Sequence, residues 1–309
     1  MAIHRLDTDG ELFTELLFER HYDEIQRFLV RRIPTNLFQL CWLENHGVRP
    51  VSNPDLFAFR GIRNTRGELQ AISLVITDRL ALLDARHEAS ARHLGRWYRR
   101  EGISFDHVVS AEECVTPFWK SYSRSDADGA KKGARARLDR LQVMYVLERD
   151  TWFEQIKERE RRPEPSGIRH AALRDLDPLF LASAHMHREE TLVDPLDEDP
   201  DGFRQHVRHR VESNRSFVWF GGGRRLKFKA DISASGYYGV QISGVYTTPR
   251  ERGRGIATRA MYDICSRLFD DGVDRIVLYV NRDNEPAKRV YSKVGFRFHT
   301  DYQTVFVAS

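Results

Sequence analysis

Residues 245–258 read VYTTPRERGRGIAT, and this stretch decides the fold of the second half of the chain. Strand-forming residues end at Pro249, which cannot continue a central strand because it has no N–H to donate. Two glycines follow, Gly253 and Gly255, and an apolar helical period begins at Ile256. The pattern predicts a strand, a tight loop and a helix in direct succession.

The loop between this strand and this helix has the chemistry of an anion site. Glycines let consecutive backbone N–H groups point into one concavity, and the helix N-terminus adds a partial positive charge. Arg250, Arg252 and Arg254 add cationic donors for phosphate oxygens. Taken by itself, the loop is also compatible with a tight turn whose arginines are merely solvated.

A second motif lies at residues 278–296, which read LYVNRDNEPAKRVYSKVGF. Its first part predicts a strand ended by Asn281, and Pro286 suits the first turn of a following helix. Gly295 suits the position just after that helix. Strands and helices in this order favour an α/β fold with a mixed sheet.

The two motifs, in this order and at this spacing, resemble those of the GNAT acetyltransferase superfamily. The motif-bearing stretch covers residues 244–296, and a compatible element order extends over 166–309. The whole chain looks like two-domain bacterial GNAT proteins with a divergent N-terminal domain, a likeness to which the stretch Phe228-Lys229-Ala230-Asp231 adds. The resemblance implies an α/β fold of two tandem GNAT-like domains, each a mixed, mostly antiparallel sheet flanked by helices.

The resemblance also implies that acetyl-CoA is the co-substrate and that no metal is used. Loop amides would hold the CoA pyrophosphate, while the preceding strand would pair with the pantetheine arm and polarise the thioester carbonyl. The cofactor-binding residues implied in this way are Val245, Tyr246, Thr247, Arg250, Arg252, Gly253, Arg254, Gly255, Ile256, Ala257, Asn281 and Asn284.

Three residues carry the catalytic prediction. Tyr291 matches the family's tyrosine that protonates the leaving CoA thiolate; a core aromatic is the alternative, because Tyr291 shares a helix face with Ala287. Glu189 and Glu190 follow the first helix of the second half, where a carboxylate could bind or deprotonate an ammonium group. A solvated acidic pair is the alternative for these two, and a helix N-cap is the alternative for Asn284.

Composition and charge limit the class of partner and the cellular compartment that we expect. The chain has 309 residues and a formal net charge of +4, too mild to argue for nucleic acid. Cys41, Cys114 and Cys265 are far apart and lack metal-ligand spacing, which fits a reducing cytosol. The opening residues lack the apolar core of a signal peptide, and no run approaches the ~20 apolar residues of a membrane span. We therefore expect a cytoplasmic protein without a membrane partner.

A charged and then Pro- and Ser-containing segment at residues 158–166 predicts a linker. It would separate a divergent GNAT-like domain at 1–157 from a catalytic GNAT domain at 167–309. The first domain opens with apolar residues at helical spacing over 12–29, which predict a helix ended by Pro34. Its residues 83–88, LDARHE, lack the glycines of a phosphate loop, so we expect it to shape the acceptor cleft or to mediate a homodimer.

These observations lead to a functional hypothesis. We expect an acetyl-CoA-dependent N-acetyltransferase in which a primary amine, of a small molecule or a protein, attacks the thioester directly in a ternary complex. The alternative is a non-catalytic regulatory or scaffold protein that binds acyl-CoA. The identity of the amine does not follow from the sequence, because fold does not fix the acceptor.

Overall fold

The computed structural model describes residues 4–5, 12–50, 52–53, 55–124, 133–158 and 164–308. The chain divides into two compact units. The first consists of Met1–Met144, Tyr279–Asp283 and His299–Ser309, and the second of Tyr145–Leu278 and Asn284–Phe298. These units follow contacts rather than chain order, so they do not coincide with the domains expected at 1–157 and 167–309, which stay a prediction. Residues 159–163 of the expected linker lie outside the described residues.

The strands of the described residues have these bounds: β1 His4–Arg5, β2 Leu12–Leu16, β3 Phe57–Asn64, β4 Leu69–Ile76, β5 Leu80–Ala85, β6 His107–Ala111, β7 Ala136–Glu148, β8 Ile168–His170, β9 Ser216–Phe220, β10 Leu226–Gly236, β11 Gly239–Thr247, β12 Arg275–Asn281 and β13 Arg297–Val307. The α-helices have these bounds: α1 Tyr22–Leu29, α2 Ile33–His46, α3 Glu88–Glu101, α4 Glu112–Tyr122, α5 Arg149–Glu158, α6 Leu176–Thr191, α7 Pro195–Glu198, α8 Pro200–Glu212, α9 Ile256–Asp270 and α10 Glu285–Val294.

In the first unit the strands β2, β3, β4 and β5 form an antiparallel meander. The next strand, β6, is parallel to β5, and their pairing joins Leu80 and Ala81 to His107 and Val108. The last strand of the chain completes this region, because Tyr302 to Phe306 of β13 pair antiparallel with β6.

The second unit repeats the same order of elements. The strands β8, β9, β10 and β11 are antiparallel neighbours, and β12 is parallel to β11. The helix α9 connects β11 to β12, and α10 follows β12. The expected fold class is therefore confirmed: a mixed, mostly antiparallel sheet flanked by helices.

The expected helix over residues 12–29 is wrong in its first part. Leu12–Leu16 form β2, which pairs with β3 from Asn64 to Arg60, and the helix α1 begins only at Tyr22. The apolar residues at 12, 13, 16 and 17 fit a helical period in isolation, but tertiary strand pairing overrides so short a pattern. Pro34 does not end a helix either; it lies in the first turn of α2, where its missing N–H costs nothing.

The core beneath the second unit's sheet explains where its helices lie. Apolar residues of α6 and α8 pack against β9; the buried members of this cluster are Ala171, Leu176, Leu179, Val207, Val211 and Val218. Burial of apolar surface stabilises a fold by about 25 cal/mol per Å², and burial of this cluster therefore holds both helices on one face of the sheet. The helix α6 also extends through Thr191, further than the sequence suggested, so Glu189 and Glu190 lie in its last turn.

Within the described ranges, the structure contains no helix long and apolar enough to cross a membrane.

Candidate functional site

The loop after β11 has the backbone conformation that the glycines predict. Gly253 and Gly255 both have positive φ, 77° and 71°, in the left-handed region that side chains with a Cβ disfavour. A Cβ at either position would meet no atom within 4 Å, so the backbone angle and not space requires glycine here. Gly255 is the N-cap of α9, and among the residues that the structure describes no side chain caps that N-terminus. The first-turn N–H groups of a 15-residue helix therefore face an exposed loop, as an anion site needs.

A β-bulge bends β11 just before this loop. Between the pairs Lys229–Tyr246 and Asp231–Ser243, β11 contains one residue more than β10. Gly244, inside the bulge, has φ 58°, and its missing Cβ would lie 2.5 Å from Asp231 Oδ2. In the described part of the chain, parallel pairing between β11 and β12 is confined to Val240 and Gln241. Such a bulge increases the local twist of the strand. Residues 245–247 therefore remain beside β10 at one edge and turn away from β12 at the other.

The side chain of Arg252 is engaged with the protein itself. Its Nε donates to the Thr247 carbonyl over 3.1 Å, and its Nη2 lies 3.1 Å from Glu189 Oε2. Its guanidinium also covers the Tyr246 ring at 5.5 Å from the centroid. Burial, together with the charge of Glu189, raises the pKa of Tyr246. Arg252 therefore joins the end of α6 to the end of β11, while its expected contact with phosphate stays a prediction.

The other two loop arginines point to solvent. Arg250 is exposed, and the side chain of Arg254 is 66% exposed with one guanidinium nitrogen 3.5 Å from Glu251. Exposed ion pairs of this kind contribute little to stability. Both side chains are thus available as donors beside the loop.

Tyr291 lies on α10 and is almost completely buried, with 5% of its surface exposed. Its ring packs near Tyr145 and Phe296, at centroid distances of 6.2 and 6.0 Å. Burial raises the pKa of Tyr291 well above its usual range, and the negative charge of Glu190 adds to this effect. The expected acid, Tyr291, is therefore within the electrostatic influence of one of the two expected carboxylates, Glu190, while the other, Glu189, pairs with Arg252.

The two asparagines lie in different compact units. Asn284 is the N-cap of α10, where its Oδ1 accepts the N–H of Ala287 over 3.2 Å. The capping role is therefore confirmed, and contact with the cofactor stays a prediction. Asn281 ends β12 in the first unit, and its Oδ1 accepts a 3.4 Å hydrogen bond from Gln142 Nε2.

Sequence reasoning missed the polar groups behind β11. Lys229 and Asp231 are buried in β10, although the sequence singled out their stretch only as a likeness. A signal for the bulge was present, because a glycine inside a strand pattern, here Gly244, often marks one. Tyr145 was also missed, since it lies far from Tyr291 in the sequence.

The fold and the loop define an α/β unit in which a bent strand leads through a glycine loop into a helix. Residues 153–296 match the model of the acetyltransferase (GNAT) family, and this part of the chain belongs to that family.

Curated relatives match short stretches. An uncharacterized N-acetyltransferase of Mycobacterium tuberculosis is 35% identical over 60 residues, which cover 19% of this chain and 38% of that protein. The mycothiol acetyltransferase of Brachybacterium faecium is 33% identical over 90 residues, covering 29% of this chain and 25% of that protein. The chain thus spans less than two fifths of the length of these relatives.

A solved structure extends the likeness of fold to nearly the whole chain. A tandem GNAT protein from the clavulanic acid biosynthesis pathway superposes with a TM-score of 0.53 at 12% identity, covering 97% of this chain and 99% of that chain. At this identity the likeness shows the fold alone, and it confirms the expected tandem GNAT-like architecture.

Proposed function

We propose that this chain transfers an acetyl group from acetyl-CoA to a primary amine in a ternary complex. The observation that carries the proposal is the succession of the bulge at Gly244, the left-handed glycines 253 and 255, and the uncapped N-terminus of α9. An extended strand segment that leads into an anion-binding helix terminus suits a long ligand with a diphosphate at one end.

Backbone groups and arginines of the chain would bind the acetyl-CoA. N–H groups of residues 252–257 hold the pyrophosphate, and Arg250 and Arg254 add charge from solvent. Residues 245–247 offer backbone groups on their free side to the pantetheine amides, as an added strand would. When bound, acetyl-CoA supplies an acetyl group that is already activated, so the chain has to orient the amine and manage charge and protons.

Two side chains would manage the protons. Glu190 accepts a proton from the acceptor's ammonium or from the attacking amine. Tyr291, which like other tyrosines is protonated at neutral pH, donates a proton to the sulfur as the C–S bond breaks. Glu189 holds Arg252 and so fixes the end of α6 against β11.

Cofactor binding is tested by isothermal titration of the full chain with acetyl-CoA. We expect micromolar-range affinity, weakened at least about tenfold in Gly253→Asp and Gly255→Asp, because a carboxylate and a strained backbone both oppose phosphate. Gly222→Asp serves as the matched control, since Gly222 lies in an exposed turn with no atom within 4 Å of its missing Cβ. Equal affinity in all four proteins would contradict the proposed loop site.

Turnover is tested by release of free thiol from acetyl-CoA over a panel of polyamines, amino sugars and lysine peptides. We expect release with at least one amine, and a fall of about 10²-fold in kcat for Tyr291→Phe, the range typical of a lost general acid. Phe296→Leu, which alters the ring packed against Tyr291 without removing a hydroxyl, is the packing control. Tight binding without release on any amine would instead support the non-catalytic acyl-CoA-binding protein.

A further inference from the structure

A charged cluster is buried behind the bend of β11. It consists of Lys229, Asp231, Arg210 and Ser216, and we call it the Lys229 cluster. Lys229 is completely buried and Asp231 is 2% exposed, with Lys229 Nζ and Asp231 Oδ2 at 2.6 Å. Arg210 Nη1 lies 3.1 Å from the same oxygen, and Ser216 Oγ donates to Oδ1 over 2.7 Å.

The cluster touches the strand segment that the proposed function uses. In the register of the sheet, Lys229 lies opposite Tyr246 and Asp231 opposite Ser243, on either side of the bulge. A Cβ on Gly244 would lie 3.0 Å from Lys229 Nζ. The ammonium group is therefore packed against the backbone immediately before residues 245–247.

Stability alone does not explain a lysine at this position. Taking an ammonium group out of water costs several kcal/mol, and well-packed apolar residues often replace a buried ion pair without loss of stability. Burial works to raise the pKa of Asp231, but the charges of Lys229 and Arg210 and the hydrogen bonds of Lys229 and Ser216 outweigh it, so that the pKa is lowered. With Asp231 ionised, two cations face one anion, and the cluster carries one net positive charge.

We infer that Lys229 is a positioning residue for acyl transfer, supplying a fixed positive charge behind the backbone of residues 244–246 at the place where the thioester oxygen gains negative charge. The inference rests on the proposed function. Acting through the backbone, the charge strengthens the N–H groups of this segment as donors, and it is already in place when the reaction begins. In general, two unit charges about 6 Å apart at an effective dielectric constant of about 20 interact by the equivalent of about two powers of ten in rate, and since only part of a charge develops on the oxygen, we expect about one to two powers of ten.

The test uses the full chain with Lys229→Met, which keeps an unbranched side chain one atom shorter and removes the charge. We expect kcat to fall about 10- to 100-fold with the amine that the wild type accepts, while the Kd for acetyl-CoA changes less than about threefold. The double variant Lys229→Met/Asp231→Asn leaves the charge of Arg210 uncompensated and thus restores one net positive charge. We expect it to recover at least about half of the loss in kcat on a logarithmic scale.

A spectroscopic measurement makes the result independent of the acceptor. Infrared difference spectra of bound acetyl-CoA labelled with ¹³C at the thioester carbonyl report the polarisation of that bond. We expect the carbonyl stretch to lie at lower frequency in the wild type and the double variant than in Lys229→Met. Lys227→Met, a lysine on the same strand that covers the Trp219 ring at 5.7 Å, is the matched control and keeps the wild-type values.

The outcomes separate the inference from the function on which it rests. Wild-type turnover combined with unchanged kcat and carbonyl frequency in Lys229→Met would overturn the inference alone. A double variant with a kcat as low as that of Lys229→Met, or lower, would also overturn the inference alone, because the fall in kcat would then come from altered packing and not from the lost charge. If Lys229→Met does not fold, the inference is tested by kcat and the carbonyl frequency of the double variant. Failure of the wild type to release thiol with any amine would overturn both.

Discussion

Gly244 shows how one residue determines the direction of a strand at the candidate site. Its φ of 58° belongs to the left-handed region, and a Cβ would meet the carboxylate of Asp231 at 2.5 Å. We therefore expect Gly244→Ala to lower the free energy of unfolding by at least about 2 kcal/mol, since strain and a collision with a buried ion pair add together. Urea unfolding followed by circular dichroism measures this change.

The control for this prediction is Gly222→Ala, where φ is not positive and the added Cβ meets nothing within 4 Å. We expect that variant to lie within about 0.5 kcal/mol of the wild type. Equal stability of the two variants would show that the bulge relaxes without cost.

At the scale of single residues, the sequence predicts what local chemistry requires and misses what distant packing creates. Gly253 and Gly255 could be assigned to a phosphate loop because a strand end, two glycines and a helix start lie next to each other in the chain. Lys229 could not be assigned to a buried cluster, because Arg210, which shares the carboxylate of Asp231 with it, lies on the helix α8. The approach of Lys229 to Gly244 also exists only once β10 and β11 have paired. A lysine in a sequence is expected at the surface.

At the scale of elements, strength of pattern decides what could be predicted. The bounds of α10 agree with the sequence to the residue, because Asn284, Pro286 and Gly295 mark its start and its end. The strand β2 was missed because five residues are too few to distinguish a strand period from a helical one.

The two strand–helix–strand arrangements share their elements but differ in their loops. In the first unit, β5 leads to α3 through Arg86 and His87, and a cavity of about 1010 Å³ opens there. Asp84 and Glu113, which line this cavity, both pair with Arg32. This turn contains no glycine, whereas Gly253 and Gly255 give the second unit's loop its left-handed backbone, so the proposed phosphate binding depends on that loop rather than on the shared fold.

At the scale of the whole molecule, chain order and contacts diverge. Residues 299–309 follow the GNAT motifs in sequence, yet β13 pairs with β6 in the first unit. Nothing local in the sequence encodes this pairing, because the partner residues are almost 200 positions apart and their alternating patterns fit many strands. The order of elements was therefore predictable from the sequence, and the pairing of the last strand with β6 in the first unit was not.

Global stability should depend on pH through buried carboxylates, and Asp175 offers the clearest case. Its side chain accepts hydrogen bonds from Arg169 Nη1 at 2.6 Å and from the Ala172 N–H at 3.0 Å. Burial works to raise the pKa of Asp175, but these hydrogen bonds and the charge of Arg169 outweigh it and the pKa is lowered. A pKa lower in the folded than in the unfolded state gives stability that is present above about pH 4 and is lost as the pH falls further.

We therefore expect Asp175→Asn to lose about 2 kcal/mol at pH 7, because the amide cannot balance the charge of Arg169. The difference between variant and wild type should shrink as the pH falls from 4 towards 3, since the carboxyl group of Asp175 then takes up a proton in the unfolded wild type more readily than in the folded one, which costs the wild type stability. Urea unfolding at several pH values measures it, with the exposed Glu154→Gln as the control expected to follow the wild type at each pH. A difference that stays constant from pH 7 to pH 3 would mean that Asp175 acts through shape and hydrogen bonding rather than through its charge.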